Sequence, residues 1–189
     1  MDKVIKKYPT LGVCGLDCGL CPRYYIKGPS RCPGCCGPDF SDKHPSCSLV
    51  TCCVKKQNFE VCAECNKFPC SKLKGWDKGD SFVTHRKSIS NLNSIKKQGL
   101  EKFIKQQKRR IELLEIFLKH FDEGRSKNFY CIATTILSVY ELETSLRIGK
   151  QKIKTEKVRE DDLKAKSLLL KEQLEKSASR KRVELKLRK

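Results

Sequence analysis

CGLDCGLCP, residues 14–22, opens a stretch that runs to Cys70 and holds twelve of the chain's thirteen cysteines. The series reads Cys14, Cys18, Cys21, then Cys32, Cys35, Cys36, then Cys47, Cys52, Cys53, then Cys62, Cys65 and Cys70. Short gaps let one loop present two or three sulfurs to one ion, as a tetrahedral thiolate site requires. All twelve are therefore expected to ligate metal. Four groups of cysteines can be cut into three four-sulfur sites in several ways, and spacing does not choose among them. His44, between Cys36 and Cys47, can replace a sulfur, but a loop histidine is more often merely exposed, and it is left outside the expected ligand set.

The fold follows from this stretch. Residues 1–75 are rich in Gly, Pro and Cys and poor in large apolar side chains, so hydrophobic burial alone is not expected to fold them. A structural zinc contributes on the order of 10 to 16 kcal/mol in finger peptides, against a usual net stability of roughly 5 to 15 kcal/mol for a whole domain. Disulfides are disfavoured by the odd cysteine total, by the adjacent pairs Cys35-Cys36 and Cys52-Cys53, and by a basic lead, MDKVIKKYPT, with no apolar run of a secretory signal. A cytoplasmic location is expected. The least polar run, Phe129 to Tyr140, is too short to span a bilayer.

Zinc is favoured over an iron-sulfur cluster. The spacing Cys14-x3-Cys18-x2-Cys21 is one that radical S-adenosylmethionine enzymes use, but too little chain remains for their barrel. Cys21-Pro22 and Cys32-Pro33 are similar to bacterial ferredoxin ligation, without the full ferredoxin run.

After Ser81 prolines vanish and helix formers take over. Phe82, Ile89, Leu92 and Ile95 fall near one face of a run from Ser81 to Gln98. From Leu100 to Asp122, the residues Leu100, Ile104, Gln107, Ile111, Leu114, Leu118 and Phe121 keep a 4-3-4-3 spacing, the strongest helical stripe in the chain. A third run starts near Lys127, and Ser138-Val-Tyr-Glu141 reads as a capping box starting a helix at Val139. Gly99, Gly124 and Gly149 sit where periodic runs stop and read as helix C-terminal glycines. Residues 150–189 form a charged, helical tail whose leucines, Leu163, Leu168, Leu169, Leu170 and Leu174, make an incomplete stripe; poor packing and a frayed end at 179–189 are expected. The fold class is thus an irregular cysteine-rich metal-binding module (1–80), an all-α region (81–149) and a basic helical tail (150–189).

The formal charge is +19. Three zinc ions on twelve thiolates change it by −6, to +13, and the correction falls wholly on the first segment. Residues 1–80 carry +5 before that correction, 81–148 carry +6 and 149–189 carry +8. The positive field belongs to the helices and tail, which suits an acidic partner, RNA or protein.

The motifs CGLDCGLCPRYY, CPGC, VCAECNKFPC and GRSKNFYCIATTIL resemble those of a cysteine-rich bacterial and archaeal family of unknown function that is taken to bind zinc. The resemblance covers roughly residues 11–148 and implies a metal-binding module followed by helices, with no established reaction. Cys131 stands apart on an apolar helix and reads as a buried small side chain. Arg125-Ser126-Lys127 reads as a polar interhelical turn. No catalytic constellation is evident, so a noncatalytic zinc protein is expected, with an iron-sulfur protein for electron transfer or redox sensing as the alternative.

Overall fold

The structure, a computed structural model, describes residues 6–188; the first five residues of the basic lead, and Lys189, lie outside the described residues. No strand occurs among the described residues, and every long element is an α-helix. The helices are α1 (Ser88–Gln98), α2 (Leu100–His120), α3 (Lys127–Ile136), α4 (Val139–Thr155) and α5 (Leu163–Arg180). The chain divides into two compact units, one of residues up to Gln107 together with Arg188, the other of Lys108–Leu187. The division falls inside α2, whereas the sequence suggests a change at residue 80.

In the cysteine unit, turns dominate, as six prolines between residues 22 and 69 require. Single helical turns cover Cys18–Leu20, Pro22–Tyr25, Cys62–Glu64 and Ser71–Leu73, and Ser48–Val50 runs on into a wider turn of helix at Thr51–Lys56. The unit has a core after all: Leu11, Val13, Leu49, Val61, Phe68 and Leu73 pack with Leu92 and Ile95 of α1 and with Phe103 and Ile104 of α2. Residues 11–73 supply most of this core themselves, and the four helix residues that complete it carry the unit to Gln107. Phe82 does not join this helical face. Asp80 accepts hydrogen bonds from His85 N (2.9 Å) and Thr84 Oγ1 (3.3 Å), which hold residues 81–87 outside the helix, and Phe82 is 51% exposed.

The second unit buries Leu113, Leu114, Phe117 and Phe121 of α2 together with Tyr130, Leu137, Leu142, Leu170 and Leu174, and the Phe117 and Tyr130 rings lie 5.6 Å apart. Helix α4 starts where the capping box requires: Ser138 Oγ accepts from Glu141 N, and the Glu141 carboxylate accepts from Ser138 N at 2.8 Å. Gly99 and Gly124 follow helix ends with positive φ, but Gly149 lies inside α4. A Cβ there would meet the Leu170 backbone at 3.6 Å, so this glycine marks a close helix-helix approach.

That approach corrects the reading of the tail. Leu169, Leu170, Leu174 and Ala178 are buried, and α5 packs along α4. The stripe looks incomplete only when leucines alone are counted. Ser167, Leu170, Leu174 and Ser177 follow a 3-4-3 spacing and are all buried, with Ser177 Oγ 3.1 Å from Ser145 Oγ. The end is held too: in the first unit, Arg188 N and Nη2 donate to the Asp80 carboxylate at 2.8 and 3.0 Å. Cys131 is buried, 2% exposed, as its apolar setting suggests. Ser126 is fully buried with its hydroxyl bonded to Glu123 and 3.1 Å from Ser167, while Arg125 is exposed and Lys127 half-buried, so 125–127 is a polar turn anchored inward by its serine.

Candidate metal centre

All thirteen cysteines are free thiols. Within the first unit the twelve of the cysteine stretch sort into two groups. Cys14, Cys18, Cys21, Cys32, Cys35 and Cys47 line one cavity of about 220 Å3, and Cys36, next in the chain to Cys35, is counted with them because its thiol interacts electrostatically with Cys35 and Cys47. Cys52, Cys53, Cys62, Cys65 and Cys70 line a second cavity of about 30 Å3. The sorting is seven and five, where the sequence suggests three sets of four.

The loop that carries Cys14 and Cys18 is fastened by its own intervening residues. Gly15 has φ +83, and a Cβ there would lie 2.2 Å from the Ser88 carbonyl oxygen, so only glycine lets the start of α1 press on the loop. Asp17 is 3% exposed. Its carboxylate accepts from Asn91 Nδ2 of α1 at 2.9 Å and from Gln107 Nε2 of α2 at 2.8 Å. Asn91 also donates to Gly15 O at 2.9 Å, and Gln107 donates to Thr10 O at 3.1 Å. A buried carboxylate is tolerable only with such donors. The polar Gln107 in the middle of an apolar helical stripe is thereby explained: it faces Asp17. That mismatch between residue type and stripe position was the available signal for the network; nothing local marks Asn91 or Lys6.

Lys6 supplies the positive charge. It is 4% exposed, its ammonium donates to Leu11 O at 2.6 Å, and Glu60 lies at 3.8 Å. Burial, the largest effect, pushes Cys14 up to about 12. Burial likewise raises Cys18 and Cys21. Cys35 moves the other way because Cys36 donates to it, and Cys36 rises correspondingly. Lys6 favours the thiolates of Cys18, Cys35, Cys36 and Cys62. In the second group the hydrogen bond with Cys53 raises Cys62. Thiols that keep their protons pack as small apolar groups and bond to one another.

The donor set, eleven unpaired thiols lining two cavities beside a buried cation, has the chemistry that a thiophilic ion takes when it replaces those protons. Among the described residues, no three or more Cys, His, Asp or Glu side chains stand together in metal-holding geometry, so the structure assigns no sulfur to a particular ion. The two histidines on the larger cavity differ. His85 Nδ1 lies 3.2 Å from Trp76 O and its Nε2 3.2 Å from Ser81 Oγ, so both nitrogens are engaged. His44 Nδ1 lies 2.9 Å from Pro45 O, and its ring stacks on Phe40 with centroids 4.6 Å apart. In comparisons with known proteins, the chain matches no family model, no curated protein and no solved structure.

Proposed function

We propose that the chain is a noncatalytic zinc-binding protein in which a thiolate-stabilised module continues through α2 into a basic helical unit that docks on RNA. The observation that carries the metal half is the gathering of eleven of the twelve clustered thiols on the walls of two cavities of one unit, next to the buried Lys6. Zinc would cross-link loops that have no regular backbone ladder, and the thiolates would supply its ligands.

The partner half rests on charge. Lys108–Leu187 carries 20 basic and 13 acidic side chains, a net +7. On α4, Arg147, Lys150 and Lys154 are exposed at spacings of three and four, so they share a face. None of the three is in an ion pair among the described residues. Tyr140, 77% exposed, heads the same face one heptad before Arg147. A cationic stripe with an exposed aromatic ring suits phosphate contacts and base stacking on a single strand. It contains no code for reading base sequence. Among the described residues, no helix is long and apolar enough to cross a membrane.

The test has two arms. Purified without added metal, the protein should be colourless and hold about three zinc ions, four sulfur or nitrogen donors to each. Binding to single-stranded RNA should weaken with salt. The triple variant Arg147→Gln, Lys150→Gln, Lys154→Gln should flatten the log–log salt slope by about 2, at roughly 0.7 per phosphate contact. No RNA binding at low salt would leave an acidic protein as the partner. A second reading, an iron-sulfur protein in redox sensing or electron transfer, is favoured by one observation: Cys14, Cys18 and Cys21 line the same large cavity. Anaerobic purification of a brown, iron-containing protein would establish that reading in place of zinc.

A further inference from the structure

We infer that His44 is a metal ligand through Nε2, closing a site that the seven-thiol group leaves one donor short; the inference rests on the metal-binding reading above. Four-coordinate thiophilic ions take donors in fours. The five-thiol group closes one site and leaves a sulfur over. The seven-thiol group, Cys36 included, closes one site and offers only three donors to a second. His44 stands on the wall of that same cavity.

Its ring is prepared for the role. A carbonyl oxygen only accepts, so the 2.9 Å contact with Pro45 O puts the proton of the neutral imidazole on Nδ1 and leaves the lone pair on Nε2. Ligating histidines are commonly fixed this way, one nitrogen on the metal and the other donating to a carbonyl. Stacking on Phe40, with ring planes 18° apart, fixes the ring's orientation as well. Among the described residues Nε2 has no hydrogen-bond partner. His85 on the same cavity lacks this property, because its Nε2 is already met by Ser81. The competing fourth donor is Cys62, but it lines the second cavity with the five-thiol group.

The full chain labelled with 15N-histidine and loaded with 113Cd tests this directly. A 113Cd–15N coupling should appear on one histidine Nε2 and vanish in His44→Ala. In the zinc form, His44→Ala should release one ion to a chromophoric chelator at least about tenfold faster than wild type, as loss of a ligand should cost no less than loss of its outer-shell support. His44→Cys should restore retention, which separates ligation from a folding defect. Unchanged release from His44→Ala, with no coupling to His44 and faster release from Cys62→Ala, would overturn the assignment. Failure of the wild-type chain to take up stoichiometric zinc or cadmium would overturn the metal-binding reading with it, and is told apart by the metal content of wild type.

Discussion

The two units solve the same problem with different materials. In the cysteine unit the buried volume is filled by thiols, short loops and a few borrowed helix residues, and order depends on polar fastenings: Asp17 to Asn91 and Gln107, and Lys6 to the Leu11 carbonyl. In the helical unit the volume is filled by Leu, Phe and Tyr. One polar cluster sits among them, Glu123 accepting from Ser126, Ser167 at 2.8 Å and Lys171 at 3.3 Å. The difference teaches where each is vulnerable. Loops without a regular backbone ladder need ligands and buried charges to define them, whereas packed helices need their apolar stripes.

Metal removal should separate the units most sharply. If zinc supplies on the order of 10 kcal/mol to the cysteine unit, chelation should abolish hydrogen-exchange protection there. Because Leu92, Ile95, Phe103 and Ile104 belong to that core, α1 and the first two turns of α2 should lose protection with it, while Lys108–Leu187 keeps its own. Protection retained through residues 88–107 would return the boundary to residue 80.

Deleting α5 comes next. It removes three buried leucines, Leu169, Leu170 and Leu174, each contributing about 1.5 to 3 kcal/mol, so urea denaturation should show a loss of roughly 5 kcal/mol or more in the helical unit. A change below about 1 kcal/mol, the size expected of a surface arm, would mean that α5 does not pack as described.

Asp17→Ala should cost about 3 kcal/mol, the scale for removing one partner from a buried charged network. It should also slow the reloading of zinc, because Asp17 sits between Cys14 and Cys18, two of the proposed ligands. An effect under 1 kcal/mol would show that the amides of Asn91 and Gln107 find other acceptors.

Acid should test the corresponding cluster in the helical unit. Burial acts to raise Glu123, but the hydrogen bonds from Ser126, Ser167 and Lys171 outweigh it and hold the carboxyl down to about 2. A depressed folded value means that the stabilisation is fully present above the unfolded value of about 4.3 and is lost as pH falls from there toward 2. On the order of 2 kcal/mol should disappear over that window, and Glu123→Gln should flatten this part of the stability curve. The smallest effect is expected for the Arg147, Lys150, Lys154 triple variant, within about 0.5 kcal/mol of wild-type stability, since these side chains touch no core.

What the sequence by itself determined was local. Gaps of two to four residues confine sulfurs to one loop, so the clustering of the thiols was legible, and a 3.6-residue period with a capping box located α2 and the start of α4 to within a few residues. Only the tertiary structure decided which cysteines share a cavity, where one core stops and the next begins, and whether the charged tail is packed. Each of these depends on contacts between distant residues: Asp17 meets Asn91 across 74 positions, and Ser145 meets Ser177 across 32. The tail shows the reason most plainly. Serines at buried positions read as surface when their partners are unknown, and Gly149 reads as a helix stop until Leu170 is seen beside it.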